Sequence, residues 1–255
     1  MTLKITFLGS GSAFTMGSKN YQSNLLLQKN NDTLLLDAGG DLRFSLAEQQ
    51  LSYLDINNIY ISHLHADHIG GLEWLALNTF FDSNYVGKPT LFSSEHLLDD
   101  LWNKSLSGGL STLSTERSRL TTFFNVVPLK LHEQWDWQGV RFKLVQSVHV
   151  VSDYALMPCY GLLIEYKGTR IYFTADTQLA PLQLMDYYEI ADMIFHDCET
   201  ADKKSGVHAH YSDLVLIEKK LKKKMWLYHY NAGELPNAIA DGFLGFVKKG
   251  QVFTV

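Results

Sequence analysis

The sequence predicts a layered α/β fold on three observations. Short apolar runs bounded by turns alternate with helix-like stretches in each half of the chain. A dense group of metal-ligating side chains, His63, His65, Asp67 and His68, stands between a strand end and a helix start. The chain has 255 residues, 46% hydrophobic and 19% charged, enough to bury a large core as a single domain over 1–255.

Taken in order, Leu3 to Leu8, Asn24 to Gln28 and Thr33 to Leu36 read as strands. Gly39-Gly40-Asp41 then opens a helix over Leu42 to Gln50, with Asp41 as its N-cap. Asn58 to Ser62 is a strand that feeds the histidine cluster. The cluster itself reads as a loop, in which Gly70-Gly71 permits close backbone approach, and Leu72 to Asn78 as a helix. Thr90 to Phe92 is a strand and Ser94 to Leu106 a helix. Residues 107–122, rich in Ser, Thr and Gly with Glu116, Arg117 and Arg119, are the candidate for a mobile insertion or lid. Val126 to Leu131, Val140 to Val148, Gly161 to Tyr166, Arg170 to Thr174, Met193 to His196 and Trp226 to Tyr228 are further strands. Helices are expected over Ser212 to Lys222 and near Pro236 to Phe246. No internal repeat is visible at the level of identity.

Composition narrows the function classes. A net charge of −5 argues against long duplex nucleic acid, whose binding leans on many Lys and Arg phosphate contacts. Cys159 and Cys198 are too few for a disulfide scaffold, so a reducing cytoplasm is the default. No apolar window approaches the length of a membrane span. The run Lys219, Lys220, Lys222, Lys223, Lys224 is explained by the end of a helix. Gly9-Ser10-Gly11-Ser12 lacks the Gly-Lys-Ser/Thr ending of a phosphate-binding loop and reads as a tight turn, with Ser10 or Ser12 near the site.

The cluster points to metal binding. A buried imidazole needs partners for two ring nitrogens and a buried Asp needs a compensating charge, and a divalent cation meets both demands. Further ligand types close other strands: His149 after Val140 to Val148, Asp176 after Ile171 to Ala175, and His229 after Trp226 to Tyr228. Three strands delivering a ligand from the same end complete a set large enough for two ions.

On these residues the chain resembles the metallo-β-lactamase superfamily in its phosphodiesterase branch, which includes tRNase Z and cyclic-nucleotide phosphodiesterases. Phe7-Leu8-Gly9-Ser10-Gly11-Ser12-Ala13 resembles the first strand and turn, Leu35-Leu36-Asp37-Ala38-Gly39 the Asp-x-Gly turn, and His63-x-His65-x-Asp67-His68 the signature, with His149, Asp176 and His229 following in order. The resemblance implies an αββα sandwich with two divalent metals at one edge. His63, His65 and His149 would hold one ion, Asp67, His68 and His229 the other, and Asp176 would bridge them. Imidazole and carboxylate ligands suit Zn2+, with Mn2+ the competitor.

Phosphodiester hydrolysis also needs a proton for the leaving alkoxide. Phe195-His196-Asp197-Cys198-Glu199 and Gly206-Val207-His208-Ala209-His210 resemble the tRNase Z pair in which an acidic residue orients a proton-donating His. On that match Asp197 orients His208. His210 departs from the pattern; in an extended segment it faces the same side as His208 and is a second candidate for phosphate contact. The candidate catalytic set is therefore Asp67, Asp197, His208 and His210, whereas His196, His96 and His132 are read as structural or uninvolved. Phe14, Tyr21 and Tyr154 are candidates for base stacking or for core packing. Trp135 and Trp137 are read as buried, with an exposed turn or dimer contact the alternative.

The short interval between His149 and Asp176 leaves no room for the basic arm that grips tRNA in many bacterial tRNases Z. Asn20-Tyr21-Gln22-Ser23-Asn24-Leu25 with Asp41-Leu42-Arg43-Phe44-Ser45-Leu46 is similar to phage and bacterial anti-Pycsar phosphodiesterases, which open cyclic mononucleotides and blunt a host immune signal. That resemblance implies a small cyclic-nucleotide substrate, a homodimer, and a cytoplasmic location, in the host if the source is a phage. The alternatives are a tRNase Z-like 3′ endonuclease, a non-phosphate metallo-hydrolase, and a protein that only sequesters a nucleotide.

Overall fold

The computed structural model describes residues 2–16, 19–114, 117–153 and 155–255. Glu116 and Tyr154, singled out above, lie outside the described residues. The strands are β1 (Lys4–Gly9), β2 (Asn24–Lys29), β3 (Asp32–Leu36), β4 (Asn58–Ile61), β5 (Thr90–Ser94), β6 (Asn125–Leu129), β7 (Gln134–Trp137), β8 (Val140–Gln146), β9 (Tyr160–Tyr166), β10 (Thr169–Phe173), β11 (Met193–Asp197), β12 (Met225–Tyr228), β13 (Gly245–Phe246) and β14 (Val252–Thr254). They form two seven-stranded sheets, ordered β14-β1-β2-β3-β4-β5-β6 and β13-β12-β11-β10-β9-β8-β7. Both sheets follow one plan. An antiparallel meander (β1-β2-β3, and β8-β9-β10) leads into parallel strands joined by crossovers (β4 to β6, and β11 to β13).

Three apolar layers make this an αββα sandwich of the metallo-β-lactamase kind. Between the sheets lie Ile5, Phe7, Leu25, Leu27, Leu34, Leu36 and Tyr60 from the first, against Phe142, Leu144, Leu162, Ile164, Ile171, Phe173 and Phe195 from the second. The intervening residues Leu26, Leu35, Ile59 and Ile61 point the other way and meet α1 (Leu42–Glu48), α3 (Leu72–Phe81) and their neighbours. Tyr172, Ile194, Met225 and Leu227 do the same against α7 (Pro181–Ile190). Because both faces of each sheet are covered, the central strands read as continuous apolar runs.

Several elements differ from the sequence expectation. The histidine cluster is partly helical: Ala66–Ile69 forms α2. Asp41 stands at the start of α1 but does not cap it, its carboxylate instead accepting the Gln22 N–H at 2.8 Å. The helix begun by α4 (Glu95–Asp100) winds as a π-helix over Leu101–Leu106 and ends in α5 (Ser107–Leu110). Within 107–122, Leu110 and Leu120 are buried against the first sheet's outer layer, and α6 (Leu120–Phe123) closes the segment. The helix expected over Ser212 to Lys222 is two short ones, α8 (Tyr211–Leu214) and α9 (Lys219–Lys222), parted where Glu218 turns extended. The C-terminal helix expected near Pro236 to Phe246 is absent. Gly242 and Gly245 take φ of +97° and +134°, outside helical geometry, and the chain turns into β13 instead. Trp137 is buried on β7, and Trp135 is stacked between Phe92 and Phe142 with centroids 4.5 and 4.3 Å away.

Candidate metal centre

The parallel strands of both sheets point their carboxyl ends at one edge, where ligand-bearing loops gather. Asp37 follows β3, His63 follows β4, Asp176 follows β10, Asp197 ends β11 and His229 follows β12. At three of these exits the backbone turns sharply in the left-handed region, at Asp37 (φ 61°), Ala175 (φ 51°) and His229 (φ 64°). His65, Asp67 and His68 come from the start and first turn of α2, and His149 from the segment after β8. The Asp37–Gly39 turn seats closely on α2: a Cβ on Gly39 would lie 2.3 Å from the Asp67 carbonyl oxygen, and one on Gly71 2.5 Å from that of Gly39.

Two groups of ligand atoms adjoin. In the first, His65 Nδ1 lies 3.1 Å from both His63 Nε2 and His149 Nε2, and each of the latter lies 3.8 Å from Asp176 Oδ2. In the second, Asp67 Oδ2 is 3.2 Å from His68 Nε2 and from His229 Nε2, while Asp176 Oδ2 is 3.2 and 3.4 Å from the same two nitrogens. Ligand bonds of 2.0–2.1 Å in a tetrahedral site place ligand atoms about 3.3 Å apart, so both groups are the right size for a cation. Asp176 belongs to both. Two atoms of these groups also lack a hydrogen-bond partner among the described residues. His68 Nε2 is aligned with neither carboxylate as a hydrogen bond, and Asp176 Oδ1 is buried without a partner. The residues present thus fit two divalent cations.

Other side chains fix the ligands. Asp37, buried, accepts from Ser62 N and Ser62 Oγ at 2.8 Å each and holds His68 Nδ1 at 2.8 Å. Ser62 Oγ also lies 3.0 Å from His63 Nδ1, and His149 Nδ1 donates to the Val207 carbonyl at 2.7 Å. Such outer contacts set which ring nitrogen faces the ion. Sequence reading placed Asp37 only in a resembling turn. Nothing in its spacing announces a contact with His68, which the fold creates.

The electrostatics match a site built for cations. Burial, reinforced by the neighbouring imidazoles, pushes His63 below the usual histidine range. Burial likewise lowers His65 and His149. The shifts favour the neutral form of these rings, the form that ligates a cation. Burial disfavours the charged form of Asp176, but His229 and His68 outweigh it and hold the carboxyl well below its ordinary value. Asp67 is held low in the same way, with burial opposed by His68 and His229.

Beside the two groups, His208 Nδ1 and Asp197 Oδ2 are 2.7 Å apart, and the other Asp197 oxygen lies 3.4 Å from His229 Nδ1. Burial opposes protonation of His208, but the Asp197 carboxylate outweighs it and raises the imidazole above its usual range. Asp197, His208, Asp176 and His229 also form a third compact group. His210 stands apart. It caps α8, with Nδ1 2.8 Å from Ser212 Oγ and Nε2 2.8 Å from the Ala201 carbonyl. His196 is buried between Tyr188 OH at 2.7 Å and the Asp197 carbonyl at 2.6 Å. Cys159 and Cys198 are free and buried.

A cavity of about 420 Å³ opens over the ligands. His65, Asp67, His149, His208 and His229 line its floor, and Ser12, Phe14, Val207, Glu199 and Asn231 its walls. Tyr21 is not among its lining residues, and neither is any described residue of 107–122. A larger groove of about 920 Å³ beside Trp102, Arg117 and Arg119 contains none of the ligands.

The model of the anti-Pycsar protein Apyc1 family matches residues 3–253. The chain belongs to this family. Among family relatives, the anti-Pycsar protein Apyc1 of Paenibacillus harenae is 33% identical over 233 residues, covering 89% of this chain and 90% of that one. The anti-Pycsar protein Apyc1 of Bacillus phage vB_BsuM-Goe3 is 33% identical over 266 residues, covering 98% and 97%. The fold of this anti-Pycsar family member is shared by the metallo-β-lactamase fold protein YhfI from Bacillus subtilis (TM-score 0.76, 18% identity, 100% and 99% covered). It is shared too by the short form of human tRNase Z (TM-score 0.70, 19% identity, 98% of each chain covered). Family, fold and donor set together support a metal-dependent hydrolase. No helix among the described residues is long and apolar enough to cross a membrane.

Proposed function

We propose that the chain is a dinuclear metal-dependent phosphodiesterase that opens cyclic mononucleotides and thereby counters a cyclic-nucleotide immune signal. One observation carries the reading. Two cation-sized ligand groups share Asp176, and the His208–Asp197 pair stands beside them at a cavity of about 420 Å³. That volume is at the small-ligand end of the usual pocket range. The family's name supports the same substrate class, and its phage members suit the role against an immune signal.

His63, His65 and His149 would hold one cation and Asp67, His68 and His229 the other, with Asp176 between; Zn2+ suits the donors and Mn2+ is the competitor. Bound there, the cations supply Lewis acidity toward phosphate oxygens and bring the pKa of water near neutrality. The chain's residues do the rest. Asp197 holds the His208 ring by Nδ1, so Nε2 is the nitrogen left to face the cavity. The raised affinity of that ring for its proton suits it to protonate the leaving alkoxide. Asp37 and Ser62 keep the His68 and His63 rings from turning.

The test is a substrate panel: metal-replete protein with cyclic mononucleotides, cyclic dinucleotides and precursor tRNA, read by chromatography. Nucleoside monophosphate from the cyclic mononucleotides is expected. Turnover of precursor tRNA alone, or ligand protection without product, would overturn the proposal.

A further inference from the structure

The turn after β1 carries two groups that the chemistry above does not use. Phe14 lines the cavity yet is 84% exposed, and it is the only aromatic among the described lining residues besides the histidines. A lone exposed apolar side chain is ordinary on a protein surface. This one stands at the lip of a cavity whose floor is imidazole and carboxylate. Ser12, two residues earlier, also lines the cavity, is only 6% exposed, and its buried hydroxyl has no hydrogen-bond partner among the described residues. A buried hydroxyl without a partner is costly unless something arrives to meet it.

The mount is rigid. Ser12 N donates to the Tyr230 carbonyl at 3.0 Å, Gly11 N to that of Tyr21 at 2.9 Å, and Ser23 Oγ to that of Gly11 at 2.9 Å. His229 N donates to the Ser10 carbonyl at 2.8 Å, which ties the turn to a ligand of the metal centre. A Cβ on Gly11 would lie 2.1 Å from Thr15 Oγ1, so the Thr15 side chain packs against the bare glycine.

We infer that residues 11–16 form the nucleobase subsite, with Phe14 as the stacking face and Ser12 as a hydrogen-bonding contact to a ligand oxygen. The inference rests on the phosphodiesterase reading and adds how the substrate is gripped. The phosphate belongs at the metal floor and the base at the apolar lip. Because every base offers a π-face, stacking on one phenyl ring tolerates purines and pyrimidines alike.

The experiment compares metal-loaded wild type with Phe14→Ala, Phe14→Leu, Phe14→Trp and Ser12→Ala. The first measure is kcat/KM for cyclic mononucleotides relative to the base-free ribose 3′,5′-cyclic phosphate. Phe14→Ala and Phe14→Leu should each lower that ratio about tenfold, chiefly through KM, and Phe14→Trp should preserve it. Ser12→Ala should raise KM about fivefold. The second measure is binding alone: cyclic nucleotides should quench the added indole fluorescence of Phe14→Trp, and the base-free phosphate should not. An unchanged ratio in Phe14→Ala, a Phe14→Leu variant equal to wild type, or an unquenched indole overturns the stacking role. An unchanged KM in Ser12→Ala overturns the contact. If wild type opens no cyclic nucleotide, the phosphodiesterase reading fails, and the fluorescence titration still decides the subsite.

Discussion

At the scale of single residues, seven ligand candidates from distant parts of the sequence meet at one edge. They could be read beforehand because four follow strands, whose ends in such a fold converge, and His65, Asp67 and His68 stand within five residues of the first of these, His63. The supports were not readable in that way. Asp37 gains its meaning only through the 2.8 Å contact to His68, a neighbour 31 residues away. Replacing it with Asn should weaken metal binding by about 10- to 100-fold while the fold persists, as measured by competition with a chromophoric chelator. His210 shows the converse. Its position two residues after His208 suggested a shared face, but its Nδ1 is taken by Ser212 at the start of α8 and its Nε2 by the Ala201 carbonyl. On the proposed function, His208 is the group that moves the proton. Its change to Ala should depress kcat by about 10²- to 10⁴-fold with metal content still near two per chain. Activity within a few fold of wild type would put the donor elsewhere.

Among the elements, most apolar strands were legible, even short ones such as β5 and β12, whereas those made by tertiary stacking or long-range pairing were not. β7 was unread because its four residues gain stability from tertiary stacking and not from local pattern: Trp135 is sandwiched between Phe92 of one sheet and Phe142 of the other. That sandwich packs Trp135 against the inter-sheet core. Trp135→Ala should cost about 3 kcal/mol in urea unfolding, and a loss well under 1 kcal/mol would show that the stack is incidental. α7 announces itself only by Pro181 at its first turn, a weak signal taken alone. The C-terminal stretch offered helical spacing, and the left-handed glycines at 242 and 245 override it. β14 pairs with β1, almost the full length of the chain away, and no local pattern foretells such a partner.

For the whole molecule, the two sheets share one plan and meet at one site, so their stability is tied to what the site holds. Without a cation, burial opposes protonation of His68 and His229, but the surrounding carboxylates outweigh it and raise both. Groups raised above the ordinary imidazole value of 6.5 stabilise the fold fully below that pH, and the contribution is lost as pH rises through the raised value. Chelator-treated protein should therefore lose stability in urea as pH climbs above about 6.5, whereas metal-loaded protein should be nearly flat there, because bound cations take over from the protons. A chelated protein that gains stability over the same range would contradict this. The parallel plan of the sheets has a mechanical side as well. Asp37 and the His63 to His68 cluster ride on the first sheet, and His149, Asp176, Asp197 and His229 on the second. β14 reaches back from the second half to lie along β1, so the sheets are clasped by a borrowed strand as well as by whatever ion the ligands share. Pulled apart in an optical trap, the sheets should yield at a force that rises with metal occupancy, as a buckle holds harder once its pin is in.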